Sequence, residues 1–360
     1  MADVLRSAQH PRPLPRVARK LGAGAADRRM GMSKAFGFRA FGGPESQGFL
    51  DRPTPVPGPG RLLVAVRAAG VNQVDWKIRH GLLGTDLPLP AVYGAEVAGV
   101  VQAVGEGVAD FAVGDEVFGS ALAGGYAEHT LLAADHAAHK PAAVSFAQAA
   151  TLPVAAATAY DGVRQLALDP GRTLLVLGIA GGVGSAAAQI ARGLGLTVLG
   201  TAGDANRGFV ESLGAAWVRY GEGVADRIRA AAPGGVDGIL DLVGGEDARA
   251  AAETLVTPGR LVSTVDPVTA TELDGTFVRR SGTAATLDAL AELVGSGRLD
   301  PHITATYPLE RAAEALAVVE AGHARGKLVL EIGGTGTVGG TGGIGGTGGT
   351  GGIGGTMETG

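Results

Sequence analysis

Apolar and polar positions fall into two textures along the chain. From residue 32 to about 141, short apolar runs at 62–68, 96–104 and 116–118 are cut by turn residues at 55–60, 105–107 and 114–115. Runs of that length, punctuated by Gly and Pro, predict an all-β, barrel-like unit. From about residue 171 the texture changes. Strand-length apolar runs at 174–177, 197–201, 217–220, 238–243 and 260–265 alternate with stretches of helical period at 186–194, 206–213, 224–231 and 248–255. That alternation predicts a parallel, doubly wound sheet, so the expected fold class is α/β. A short strand, a helix over 309–321 and a last strand over 326–332 are expected after residue 299.

The first strand of the alternating part runs into Gly178-Ile179-Ala180-Gly181-Gly182-Val183-Gly184, and a helix follows. Gly178 and Gly181 permit a tight turn and a close backbone approach to a pyrophosphate. Gly184 permits close packing of helix on strand, and the helix N-terminus favours the phosphate charge. The spacing is Gly-x-x-Gly-x-x-Gly rather than the commoner Gly-x-Gly-x-x-Gly, but its place in a strand–turn–helix with further βα repeats behind it points to a dinucleotide. Ala180, Gly182 and Val183 belong to the same expected cofactor loop.

Composition narrows the chemistry. Cysteine is absent, which excludes disulfides, thiolate nucleophiles and cysteine-ligated zinc. It also fits a reducing compartment, and a cytoplasmic location is expected. The net charge is −5, and residues 1–31 carry seven Arg or Lys against two Asp, so the remainder stands at −10. A nucleic acid is therefore not an expected partner. The 1–31 segment is read as a disordered basic extension, with an Arg-rich targeting segment as the alternative and Met32 as a possible start. Six Gly-Gly-X triplets from Gly339 to Thr356 mark 333–360 as a Gly-rich disordered tail. Uncharged stretches at 142–160 and 173–191 are long enough to span a bilayer. The first is broken by Pro153 and the second holds four glycines, so no membrane association is expected. His136 and His139 form a His-x-x-His with no nearby acid to complete a metal site, and no Gly-x-Ser-x-Gly elbow occurs.

Several ordered segments share a likeness. They are Ala69-Gly70-Val71-Asn72-Gln73-Val74-Asp75-Trp76-Lys77, Gly94-Ala95-Glu96-Val97-Ala98-Gly99, Val113-Gly114-Asp115-Glu116-Val117, Gly124-Gly125-Tyr126-Ala127-Glu128 and Ala157-Thr158-Ala159-Tyr160, followed by the glycine loop. In that order they resemble the medium-chain dehydrogenase/reductase superfamily, in its zinc-independent, quinone oxidoreductase-like branch. The likeness covers about 34–332. It implies a GroES-like catalytic domain at 32–153, completed by 299–332, and a Rossmann NADPH-binding domain at 154–298. The catalytic zinc ligands of zinc-dependent relatives fall on Asn72, Ala95 and about Val154, which are poor zinc donors.

The activity implied is NADPH-dependent hydride transfer to a quinone or an activated carbonyl or enone compound. An enoyl-thioester reductase and a low-turnover NADPH-binding protein acting through a partner are the alternatives. Asn72 is expected to offer an amide at the nicotinamide, and Lys77 a positive charge near the acceptor oxygen, with Asp75 two residues before it. Either Asn72 or Lys77 could instead be structural. The likeness also places Thr158, Tyr220 and Val243 at the cofactor. NADPH is expected over NADH because Ala202 holds the acid position of the second strand and Arg207 can pair with a 2′-phosphate, although Asp204 lies near the spacing expected for such an acid. Arg325 and Lys327 precede the last strand and could approach the cofactor phosphates, but they are read as surface residues by default. The run 275–280 is expected to be an edge strand through which a homodimer forms.

Overall fold

The computed structural model describes residues 31–322 and 324–333. Gly31 and Gly333 apart, the expected N-terminal extension and the glycine-rich tail lie outside the described residues. The alternating part of the sequence forms a six-stranded sheet. Its spatial order is Ala216–Arg219, Thr197–Ala202, Thr173–Leu177, Gly238–Asp241, Leu261–Ser263 and Thr276–Phe277, parallel throughout. In chain order this is 3-2-1-4-5-6, the doubly wound Rossmann arrangement, whose ligand crevice lies where the order reverses. Here the reversal is between the strands ending at Leu177 and Asp241. The apolar run Thr173–Leu177 sits centrally because a strand covered on both faces needs apolar residues at every position, and Leu174 to Leu177 are fully buried.

The β-rich texture forms a GroES-like seven-stranded sheet. Ile303–Pro308, Lys327–Glu331, Arg61–Val71, Glu96–Val104, Glu116–Ser120 and Ala137–His139 follow in that order, and His129–Ala133 pairs with Arg61–Val71. Residues 303–331, after the parallel sheet in sequence, therefore return to this sheet. Lys327–Glu331 is an interior strand, antiparallel to Arg61–Val71 and parallel to Ile303–Pro308. A smaller sheet of Gln47–Pro53, Met32–Phe38 and Ala91–Val92 stands beside it.

One apolar cluster crosses between the two sheets. Ala68, Ala98 and Phe118 of the seven-stranded sheet share it with Leu174 and Val176 of the parallel sheet and with Ile179 of the glycine loop. No helix among the described residues is long and apolar enough to cross a membrane. Among the described residues Thr276–Phe277 pairs on one side only, and both residues are exposed.

Candidate functional site

The glycine loop divides its work among its members. Gly178 has φ +79°, in the region that favours glycine, and follows the first strand directly. At Gly184 a Cβ would stand 2.5 Å from the Gly178 carbonyl oxygen and 2.6 Å from Ile179 Cα, so only glycine lets the helix Gly182–Gly193 sit this close. At Gly181 a Cβ would meet nothing nearer than 3.7 Å, which leaves open ground before the helix N-terminus. Gly182 and Val183 lie in the first helical turn. Backbone access beside a twelve-residue helix start suits a pyrophosphate, so the loop fits a dinucleotide. Val243 stands across the crevice, where a Cβ on Gly178 would lie 3.0 Å from its Cγ2.

Beyond the end of the second strand lies a pocket of about 430 Å³ lined by Gly203, Asp204, Arg219, Tyr220, Gly221, Glu222 and Arg227. Arg227 builds its floor by donating to the carbonyls of Arg219, Tyr220, Gly221 and Glu222 at 2.8–3.2 Å. Tyr220 lies over Gly203. Arg219 pairs loosely with Asp204 at 3.6 Å, and both are exposed. Arg207 is held elsewhere. It donates to Glu211 one helical turn on, at 2.8 Å, and lies over the Trp217 ring, so it does not line this pocket. The strand ends at Ala202, and Asp204 opens the 3-10 turn that follows.

The third group is a buried polar cluster. Asn72 precedes the helix Gln73–Arg79, and Asp75 reaches back from the first turn to accept from the Asn72 backbone N–H at 2.9 Å. The Asn72 amide nitrogen donates to Glu96 at 2.8 Å, while its oxygen accepts from Lys327 at 2.6 Å. Lys327 also donates to Glu96 at 2.8 Å and to the Val71 carbonyl at 3.2 Å. The other Glu96 oxygen accepts from the Val154 N–H at 2.7 Å. Tyr126 donates to Asp75 at 2.8 Å. Burial pushes the Asp75 carboxyl up to about 6, against the two hydrogen bonds and the Lys327 charge that favour ionisation, with Glu96 adding to the rise.

This cluster corrects one expectation directly. Lys327 is not a surface residue; it is 4% exposed. The strand it opens is an interior one, and that register turns the ammonium inward. Arg325, by contrast, is exposed and lies over the Phe209 ring. Of the expected hydride-site residues, Asn72 and Asp75 are in the cluster. Lys77 is half-buried, its ammonium 5.9 Å from the centre of the Trp76 ring and outside the cluster. The Thr158 hydroxyl donates to the Val154 carbonyl one turn back, at 2.6 Å. Glu96 is not among the residues expected from sequence, and the signal for it is an acid at the head of the apolar run 96–101.

The positions that correspond to zinc ligands hold an amide bonded to Glu96 and Lys327, an alanine, and a valine whose N–H faces Glu96. No group of three or more His, Cys, Asp or Glu among the described residues could hold a metal. His136 and His139 bond separate backbone carbonyls, those of Gly282 and Asp110.

Residues 58–143 match the alcohol dehydrogenase GroES-like domain family, and 213–330 match the zinc-binding dehydrogenase family. The chain is 34% identical to the quinone oxidoreductase of Homo sapiens over 316 residues, covering 81% of this chain and 95% of that protein. It is 35% identical over 286 residues to the chloroplastic NADPH-dependent alkenal/one oxidoreductase of Arabidopsis thaliana, covering 75% and 72%. The solved quinone oxidoreductase from Coxiella burnetii superposes with a TM-score of 0.76 at 30% identity, over 84% of this chain and 99% of that one. A Rossmann crevice with this glycine loop, a GroES-like sheet and these similarities agree: the chain belongs to the zinc-independent, quinone oxidoreductase-like branch of the medium-chain dehydrogenase/reductase superfamily, a family of oxidoreductases that bind a nicotinamide cofactor.

Proposed function

We propose that the protein uses NADPH to reduce quinones or activated carbonyl and enone compounds, without zinc. The observation that carries this reading is the meeting of cofactor loop and polar cluster. Gly326 donates its N–H to the Ala180 carbonyl of the loop at 3.0 Å, and the next residue, Lys327, reaches Asn72. A bound reduced nicotinamide supplies the hydride. Conjugated acceptors delocalise the charge that develops, so a positioned hydrogen-bond donor suffices where a simple aldehyde would need stronger polarisation. Asn72 has one amide proton on Glu96, and among the described residues the other has only a long 3.4 Å contact with the Gly70 carbonyl. That second proton is the donor we assign to the acceptor oxygen. Asp75 holds the Asn72 backbone in place. The one-sided edge at Thr276–Phe277 supports assembly as a homodimer.

The preference for NADPH is assigned to Arg219 and Tyr220 rather than to Arg207. Asp204 would otherwise repel a 2′-phosphate, but it already lies beside Arg219. Arg219→Ala removes the cation and leaves that acid uncompensated. KM for NADPH should then rise about tenfold, the scale of one charge-assisted hydrogen bond, while KM for NADH stays near wild type. The test is initial rates of both cofactors against a panel of quinones, enones and enoyl thioesters. Turnover confined to the thioesters, or a wild-type preference for NADH, would overturn the reading.

A further inference from the structure

We propose that Lys327 is a positioning residue for hydride transfer, whose buried ammonium fixes the Asn72 amide in one orientation and ties it to the cofactor loop. The inference rests on the oxidoreductase reading above and deepens it, giving Lys327 a role in positioning the Asn72 amide.

The argument begins with donor and acceptor types. An ammonium can only donate, and an ionised carboxylate can only accept. Lys327 faces the Asn72 oxygen at 2.6 Å and Glu96 faces the Asn72 nitrogen at 2.8 Å, so the amide cannot turn over without placing like against like on both sides. With the amide fixed, its second N–H has one direction available. The ammonium's three protons have three acceptors, on Val71, Asn72 and Glu96, so it has none to give a substrate. Its action therefore passes through Asn72. The stem of Lys327 is seated too: a Cβ on Gly182 would stand 2.6 Å from Lys327 Cδ. Gly182, in the first turn of the cofactor helix, thus leaves room for this lysine. Through one residue the amide and the phosphate-binding turn keep a fixed spacing, and displacements near 1 Å matter greatly in such reactions.

A lysine that served only to neutralise Glu96 would predict something different. The test is the double variant Lys327→Met/Glu96→Gln, which removes both charges and keeps an unbranched stem on Gly182. Thermal unfolding of the cofactor-free protein and NADPH affinity by fluorescence should both stay close to wild type. With quinone or enone as acceptor, kcat should fall about tenfold or more. The Asn72 side-chain amide protons, followed by NMR in ¹⁵N-labelled protein, should lose the distinct shifts and slow exchange expected in the wild type. A wild-type kcat in the double variant would overturn the proposal and leave Lys327 as a counter-ion. Should that variant not fold, Lys327→Arg keeps the charge but cannot converge on three oxygens in the same way, and an unchanged kcat there would also overturn it. If wild type reduces no acceptor, the proposed function fails separately, and the amide signals decide alone: unaltered Asn72 signals in the double or the Arg variant refute the positioning role.

Discussion

Lys327→Met alone is expected to lower the free energy of unfolding by about 3–5 kcal/mol, because it leaves a fully buried carboxylate without its cation. Glu96 is 0% exposed and its partner 4%, so solvent does not screen the pair. The Asn72 amide and the Val154 N–H still face Glu96 after the change, but neither carries charge. Urea denaturation at neutral pH measures the loss. Adding Glu96→Gln should recover most of it, since replacing both members of a buried pair is far milder than removing one. A loss below about 1 kcal/mol for the single variant would mean that the pair contributes as little as an exposed one.

Asp75→Asn should have the opposite sign at neutral pH. The carboxyl of Asp75 is pushed up to about 6 by burial, above the ordinary aspartate value of 3.8. The folded protein therefore holds this proton more tightly than the unfolded chain does, and stability falls as pH rises between those values. Above pH 6 the ionised group costs about 3 kcal/mol, the difference between the two values at about 1.4 kcal/mol per unit. Asparagine keeps an oxygen that can accept from the Asn72 N–H and the Tyr126 hydroxyl. The variant should accordingly be the more stable protein at pH 7.5, and the gap should close as pH falls below 4. Parallel urea titrations across that range provide the check. A gap that does not change with pH would place the rise in Asp75 elsewhere.

What was legible in the sequence was local. The glycine loop announced itself because each glycine answers a steric demand a few residues away, as Gly184 does against Gly178 and Ile179. The parallel strands were legible because burial on both faces makes them continuous apolar runs. The fingerprint helix starts four residues before its apolar period becomes visible, since its first turn is made of the loop itself. Met32–Phe38 and Gln47–Pro53 were passed over because Gly, Ser, Arg and Asp interrupt their apolar positions. The helix Ala284–Gly295 was passed over as well, although Thr283 caps it with a hydrogen bond to Thr286 N–H.

The site was legible only as far as neighbours in sequence are neighbours in space. Asn72 and Asp75 are three residues apart and act together. The lysine that completes them is 255 residues from Asn72 and arrives only because the strand Lys327–Glu331 returns to pair with Arg61–Val71. Lys77 was favoured by proximity along the chain, and nothing in the sequence says which lysine the topology brings back. The pairing of Arg207 is legible in the sequence. Glu211 stands four residues after Arg207, the spacing at which a helix pairs opposite charges, so Arg207 had a partner in view from the start. Arg219, at the end of the neighbouring strand, faces the pocket because parallel pairing sets it beside Ala202.

The central claim is metal-free hydride transfer from a reduced nicotinamide to a conjugated acceptor. Its most direct measurement is single-turnover oxidation of NADPH carrying deuterium at the transferred position, by protein dialysed against EDTA, with an enone in excess. The account predicts oxidation at the rate of undialysed protein, slower with deuterium than with hydrogen, and the label on the β-carbon of the product. Oxidation that stops on dialysis and returns with zinc, or a product without the label, would contradict it.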